Sequence, residues 1–275
     1  MPAEKSSGRT ETRRKKRDAK LLGAAETQSK TKRTKPPKTG TAASKSQETR
    51  VDVYYDYAVK KGWILPASQA RSRDMCERIL EAANRVFARQ GYEATKISDI
   101  ASAAGCSVGI FYKRFSDKES LFYALQYRHL EGGRRRLDRL VDAVDSNLST
   151  QEVLYRYVRA SVRYMLDDAG FERALVEMSL KNRRVWKAQQ AHHKYAGDRL
   201  IDFLIARGEL PGAGEDSRVR GHFAARIVFG TVINLLAVGP GPYEASDPRV
   251  VDSLADILRG FLHEEQERLR LGSNS

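Results

Sequence analysis

The sequence predicts an all-α protein with a small N-terminal three-helix domain and a larger C-terminal helical domain. Apolar residues recur at three- and four-residue spacing through most of the chain, without β-type alternation. Within residues 95–125, two short helical patterns flank a glycine-containing turn. A length of 275 residues accommodates one small and one larger domain. We divide the chain into residues 1–50, 51–72, 73–131 and 132–275.

The first complete helix is predicted to begin at Asp74, which forms a capping-box-like start with Glu77. Gly91 is expected to end this helix. Apolar positions at helical spacing predict its buried stripe, which consists of Met75, Ile79, Ala82, Ala83, Val86 and Phe87.

Two short helices follow, and their caps define a helix-turn-helix unit. Thr95 is placed to cap the first helix, whose apolar positions are Ile97, Ile100, Ala101 and Ala104. Gly105 supplies the left-handed position that ends it, and Ser107 is placed to cap the second helix. The second helix of such a unit enters the DNA major groove. The alternative is a helical corner in an unrelated all-α protein.

The second short helix separates its side chains onto two faces. The face expected to pack inward is apolar and consists of Val108, Phe111 and Phe115. The opposite face consists of Gly109, Ile110 and Lys113, flanked by Tyr112 and Arg114. A cation, an aliphatic side chain and a glycine that permits close approach suit contact with base edges, thymine methyl groups and phosphates.

A third helix is predicted from Asp117 to about Val144, with Ser116 and Glu119 as its capping box. Lys118 lies in its first turn, where a cation opposes the helix dipole. A cation in that position requires another partner, and a DNA phosphate is a candidate.

The capping, turn and apolar positions agree together with one known pattern. They are Ile79, Ala82, Ala83, Phe87, Gly91, Tyr92, Ile97, Ile100, Ala101, Ala104, Gly105, Cys106, Ser107, Gly109, Tyr112, Phe115, Lys118, Glu119 and Leu121. This set, within Asp74 to His129, resembles the DNA-binding domain of the tetracycline-repressor (TetR) family of transcription regulators. Cys106 and Ile110 depart from the valine and threonine common there.

The resemblance implies that Tyr112 and Lys118 contact phosphates, while Gly109, Ile110 and Lys113 face the bases. The whole implied DNA-contact set is Thr95, Lys96, Ser107, Val108, Gly109, Ile110, Tyr112, Lys113, Arg114 and Lys118. Because isoleucine lacks the hydroxyl of threonine, Ile110 is expected to alter the preferred operator sequence.

The formal net charge of +14 is concentrated at the N-terminus. Residues 1–50 contain 15 Lys or Arg and 5 Asp or Glu, a net charge of +10. This composition predicts a disordered tail. The tail is either a sequence-independent arm that contacts DNA phosphates, or a solubilising segment or an overlong start.

Residues 51–65 predict a short helix bounded by Gly62 and Pro66, with an aromatic stripe that includes Tyr54 and Tyr55. We expect these aromatics to pack on the first helix of the DNA-binding domain or on a neighbouring subunit. Direct contact with DNA beside the operator is the alternative.

Five helices are predicted in the larger domain, at Gln151–Asp168, Glu172–Asn182, Val185–Arg207, Ser217–Val238 and Arg249–Leu269. Before them, Gly132 and Gly133 interrupt the third helix of the small domain. The pair predicts either a flexible point between the domains or a close crossing by another helix.

The last two helices are strongly apolar, and the resemblance implies that they form a four-helix dimer interface with their symmetry mates. The interface residues we expect are Ile227, Val232, Leu235, Leu254, Leu258 and Phe261. The alternative is that these helices close the core of the monomer.

The middle helices carry aromatic and sulfur-containing side chains that either fill the core or line a small-molecule effector pocket of the kind the family uses. The candidate pocket residues are Tyr155, Tyr164, Phe171, Met178, Trp186, His193 and Phe203. His193 or Tyr164 is the expected polar anchor.

Enzyme chemistry finds no support in the sequence. It lacks a nucleophile elbow and a phosphate-binding glycine loop, and the adjacent His192 and His193 have the wrong spacing to share a metal on a helix. We therefore predict no catalytic residues, no metal and no cofactor. Cys76 and Cys106 are expected to be reduced core residues. No apolar run reaches membrane-spanning length and no signal peptide is evident, so we expect a soluble, nucleoid-associated cytoplasmic protein.

The expected function is a dimeric, sequence-specific transcription regulator, most simply a repressor, that binds a palindromic double-stranded DNA operator and an unidentified small-molecule effector. The first alternative is an architectural nucleic-acid-binding protein with a ligand-blind helical dimerisation domain. The second is an enzyme that uses the aromatic cavity.

Overall fold

A computed structural model describes residues 54–66, 70–143, 147–210, 213–239 and 243–272. Within these ranges the regular secondary structure is entirely α-helical, which confirms the predicted fold class. The helices are α1 (54–60), α2 (Ala70–Ala94), α3 (Ile97–Ala103), α4 (Val108–Tyr112), α5 (Lys118–Asp142), α6 (Thr150–Asp167), α7 (Ala169–Lys181), α8 (Arg183–Ala206), α9 (Glu215–Ala237) and α10 (Pro248–Gly272). The basic tail lies outside the described residues.

The helix-turn-helix unit, α3 and α4, packs on a first hydrophobic core. Helices α1 to α5 surround this core, and α7 contributes Phe171, Ala174, Leu175 and Met178 to it. The stripe predicted on α2 is confirmed: Ile79 to Phe87 supply buried residues, and Met75 packs against them. Because α7 belongs to the larger domain, the two domains share this core.

A second core unites α6, α8, α9 and α10 with the end of α5. The five helices predicted in the larger domain all form, with ends within three residues of the predicted ones. The proposed division between residues 131 and 132 falls inside α5, which is continuous from Lys118 to Asp142. A single helix therefore belongs to both domains.

Gly133 marks a close crossing of helices rather than a flexible point. A Cβ atom at Gly133 would lie 2.9 Å from Cε1 of Tyr164 and 3.0 Å from Cε1 of His192. The neighbouring Gly132 has its nearest atom, the Tyr164 hydroxyl, at 3.6 Å. Gly133 thus lets α6 and α8 approach α5 closely.

The capping residues predicted for three helices, Asp74, Thr95 and Ser116, are wrong. Helix α2 already includes Ala70, so Asp74 lies inside it. Lys96, rather than Thr95, is the N-cap of α3, where the Asp99 carboxylate accepts the Lys96 backbone N–H at 3.1 Å. The N-cap of α5 is Asp117, whose carboxylate accepts the Ser120 N–H at 2.6 Å. At both helix starts a carboxylate accepts a charge-assisted hydrogen bond, which is stronger than a hydrogen bond to a neutral hydroxyl.

The described part of the N-terminal extension, residues 54–66, packs on the DNA-binding domain of its own chain. This was one of the two arrangements expected for its aromatic residues. Tyr54 and Tyr55 are buried in the first core. The Tyr57 ring stacks on Tyr127 of α5 with their centroids 4.1 Å apart. The Leu65 N–H donates to the Arg114 carbonyl at 2.8 Å, which joins the extension to the segment that follows α4.

The stripe predicted for dimerisation faces mainly inward. Val232, Leu254 and Leu258 are buried in the second core, and Leu235 and Phe261 are partly buried. Of the six, only Ile227 is exposed, at 39%. Both faces of α9 and α10 carry apolar residues. Three of the six predicted interface residues, Val232, Leu254 and Leu258, lie in the core of the monomer instead.

Candidate nucleic-acid interface

Helix α4 is fixed on the surface by its cap and by two buried phenylalanines. The Ser107 hydroxyl accepts the Ile110 N–H at 3.3 Å, which confirms the predicted cap. Phe111 and Phe115 are fully buried. The turn before α4 contains Gly105 at φ 65°, a left-handed conformation that favours glycine.

Arg78 of α2 stabilises this turn through a hydrogen bond to its backbone. Its Nη2 donates to the Ala104 carbonyl at 2.6 Å, and a Cβ atom at Gly105 would lie 2.9 Å from the same nitrogen. The last carbonyls of α3 lack partners within their own helix, so this cation also complements the helix dipole. The angle between α3 and α4 is therefore held by a residue 26 positions away in sequence.

The exposed face of α4 carries the groups expected to contact DNA. Tyr112 is 49% exposed, Lys113 and Gly109 are exposed, and Ile110 is partly exposed. Val108 is 40% exposed, so the expectation that it packs inward is wrong. Helix α4 ends at Tyr112, and Phe115 therefore does not share the helical repeat that grouped it with Val108.

Lys118 does not extend toward the outer surface. Its Nζ donates to the carbonyls of Tyr92 at 2.8 Å, Thr95 at 2.9 Å and Glu93 at 3.4 Å. It also lies 4.3 Å from the centroid of the Tyr92 ring. An ammonium group has three N–H donors, and all three are directed at backbone oxygens. This geometry disagrees with the expected phosphate contact: Lys118 joins the end of α2 to the start of α5.

Two further residues of the implied DNA-contact set serve the fold instead. Thr95 is 2% exposed, and its hydroxyl donates to the Gly91 carbonyl at 2.6 Å. The Arg114 guanidinium donates to the Ser72 hydroxyl at 2.7 Å and to the Lys113 carbonyl at 2.9 Å, so it points back toward α2. Lys96 and Ser107 are exposed beside α4.

The structure brings together a buried polar junction that the sequence did not predict. His129 Nε2 lies 2.8 Å from Glu172 Oε1, and His129 Nδ1 lies 3.5 Å from Asp168 Oδ2. Asp168 also accepts a hydrogen bond from Asn84 of α2 at 2.9 Å. Burial acts to lower the pKa of His129, but its hydrogen bonds to the two carboxylates raise that pKa to about 9. The junction joins α2, α5 and α7.

The candidate effector residues are dispersed. Phe171 and Met178 lie in the first core, Tyr155 and Phe203 pack against the second core, and Trp186 is 37% exposed. His193 stacks on Phe229 with ring centroids 4.9 Å apart. Among the seven, Tyr164 lines a cleft, and there its neighbour is His192 rather than His193.

Both cysteines are free, and Cys76 is buried in the first core, where burial raises the pKa of its thiol to about 12. In the described ranges, no three His, Cys, Asp or Glu residues are grouped as metal ligands would be. The described helices also include none that is long and apolar enough to cross a membrane.

The comparisons agree on one family. The family model for bacterial regulatory proteins of the tetR family matches residues 79–125. The HTH-type transcriptional activator FasR of Mycolicibacterium smegmatis is 28% identical over 197 residues, covering 70% of this chain and 80% of that protein. The HTH-type transcriptional repressor AcnR of Corynebacterium glutamicum is 29% identical over 131 residues, covering 48% of this chain and 64% of that protein.

Solved structures show the same fold. Salmonella enterica GusR has a TM-score of 0.54 and 21% identity, and the match covers 70% of this chain and 96% of that one. A tetR-family transcriptional regulator from Streptomyces coelicolor has a TM-score of 0.54 and 16% identity, covering 70% and 88%. Residues 79–125 therefore resemble the tetracycline-repressor family, and the chain is a DNA-binding transcription regulator with α4 capped and exposed on its surface.

Proposed function

We propose that this protein is a dimeric repressor that binds a palindromic operator in the cytoplasm, at the nucleoid, and releases it when a small-molecule effector binds. The observation that carries the proposal is the exposed face of α4, where Gly109, Ile110, Tyr112 and Lys113 lie on one surface above the first hydrophobic core. One such helix covers a single half-site, and two copies are needed to contact two half-sites one helical turn apart.

The outer face of α9 and α10 supports dimerisation. Phe223 is 67% exposed, and Ile227 and Ile257 are about 40% exposed. Gly230 and Gly260 have no atom within 4 Å of a Cβ built on them. Large apolar side chains beside glycines suit close packing against the same helices of a second copy.

Selection of DNA from a random-sequence pool tests this function. The proposal expects a palindromic consensus whose half-site centres are about 10 base pairs apart. Enrichment without a consensus would contradict it and would favour the architectural alternative, for which the net charge of +10 in residues 1–50 is the supporting observation.

A further inference from the structure

A cleft between α5 and α6 carries an unusual concentration of arginine. Its volume is about 570 Å³, which is within the range of small-molecule sites. Its walls carry four arginines and apolar residues between them, among which are Arg136, Arg139, Arg156, Arg163, Leu140 and Ala160.

Within the part of the chain that the structure describes, these arginines are only partly neutralised by carboxylates. Arg136 and Arg163 share one carboxylate, that of Asp167, at 3.0 Å and 2.8 Å. Arg156 pairs with Glu152 at 2.7 Å, while the Nε of Arg139 donates to the Arg135 carbonyl. Among the described residues, four guanidinium groups thus share two carboxylates. Guanidinium groups bind carboxylate and phosphate through paired N–H donors, so this excess charge favours an organic anion.

The cleft continues inward as a narrow apolar end. Arg136, Leu140 and Ala160 line both parts, and Phe229 and His192 lie at the inner end. The open space there is only about 20 Å³. His192 is 7% exposed, and its Nδ1 has no hydrogen-bond partner among the described residues. Burial lowers the pKa of His192 to about 3, so this ring is neutral and leaves a polar atom unsatisfied.

We propose that this cleft is the effector site and that it binds an amphipathic organic anion. The carboxylate or phosphate group lies between the four arginines, and a linear apolar body follows Leu140 and Ala160 toward the inner end. The assignment of the ligand as an effector rests on the proposed function, but the binding itself does not.

The position of the cleft explains how binding of such a ligand can affect the DNA-binding domain. A bound anion competes with Asp167 for Arg136 and Arg163, and Asp167 is the last residue of α6. The next residue, Asp168, holds Asn84 of α2. An apolar body entering the inner end also displaces Tyr164, whose hydroxyl donates to the His129 carbonyl. The first change acts on the turn that packs against α2, and the second removes a contact between α6 and α5.

Calorimetric titration of the full chain without DNA tests the binding. The probes are decanoate, decyl phosphate, decanol and inorganic phosphate. We expect decanoate or decyl phosphate to bind at least about tenfold more tightly than decanol or inorganic phosphate, because each charge-assisted hydrogen bond contributes strongly. Comparison of the two anionic probes identifies the head group.

Matched variants locate the site. The double variant Arg139→Gln, Arg156→Gln should weaken binding of the preferred anion at least about tenfold with an unchanged melting temperature, since both side chains are exposed. Arg159→Gln, an exposed position of α6 outside the cleft lining, should bind like the unmodified protein. Equal affinity for decanol, failure of both anions to bind, or undiminished binding by the double variant would each overturn the proposal. Because DNA is absent, none of these results bears on operator recognition.

Discussion

Asn84 donates a hydrogen bond from Nδ2 to Asp168 Oδ1 at 2.9 Å, and this bond joins α2 of the DNA-binding domain to the turn between α6 and α7. His129 and Glu172 complete the junction from α5 and α7. Close beside it, a Cβ atom on Gly170 would lie 2.4 Å from the Ala88 Cβ, so α7 and α2 are in direct contact. Movement of the α6–α7 turn is thereby linked to α2, the helix that packs behind α3 and α4.

The charge state of His129 gives this junction a defined pH dependence. Its pKa of about 9 exceeds the unfolded value of about 6.5. Protonated His129 therefore contributes its full stabilisation below about pH 6.5, and the contribution is lost as the pH rises through 9. Relative to the unmodified protein, His129→Gln should cost the most unfolding free energy at pH 6 and the least near pH 9. Urea unfolding at a series of pH values measures this, and a pH-independent difference would contradict it.

Two adjacent glycines of α5 should respond differently to the same substitution. Gly133→Ala places a Cβ against the Tyr164 and His192 rings and should reduce the unfolding free energy by about 1–3 kcal/mol. Gly132→Ala has room for its methyl group and should be neutral or stabilising by up to about 1 kcal/mol. Urea denaturation compares the two, and equal effects would argue against the close crossing at Gly133.

The outer face of α9 and α10 can be tested separately from the inner one. Phe223→Glu combined with Ile257→Glu should give folded monomers that lose operator affinity, because both side chains are exposed in the single chain. Leu258→Glu should instead unfold the protein, since Leu258 is fully buried and an unpaired charge there is costly. Light scattering and circular dichroism distinguish the two. A folded dimer for the double variant would place the interface elsewhere.

The sequence predicted the helices well because apolar periodicity repeats within each helix. It predicted the environments of single side chains less well. Three- and four-residue spacing placed Leu258 on an apolar stripe but could not say whether a core or a second subunit covers it. Val108 was misplaced because α4 is too short for a helical repeat to include Phe115.

Contacts between residues that are distant in sequence could not be predicted, for a different reason. Lys118 was expected to bind phosphate because a cation in the first turn of a helix opposes the helix dipole. Its observed partners, the carbonyls of Tyr92 and Thr95, reach it only through the packing of α2 on α5. The junction at His129 likewise depends on residues far apart in the chain. In contrast, Ser107 and Gly105 were predicted correctly because caps and turns are decided by neighbours in sequence.

The salt dependence of DNA binding distinguishes the two roles expected for the basic tail. Each phosphate neutralised adds about 0.9 to the slope of log affinity against log salt. If cations of residues 1–50 contact DNA, deleting that segment should lower the slope equally on operator and random DNA, because such contacts do not distinguish bases. Titrations of the full chain and of residues 51–275 at several salt concentrations measure the slopes. Identical slopes would show that the tail does not contact DNA.

The recognition face of α4 is tested most directly by repeating the random-pool selection with single variants of its exposed residues. Ile110→Ala and Lys113→Ala should each change the preferred base at distinct positions of the consensus, with discrimination reduced by about 1–3 kcal/mol per lost base contact. Tyr112→Ala should keep the consensus and weaken binding to all sequences, because phosphates are common to every site. An unchanged consensus and unchanged affinity in all three variants would contradict the assignment of α4 as the helix that binds the operator.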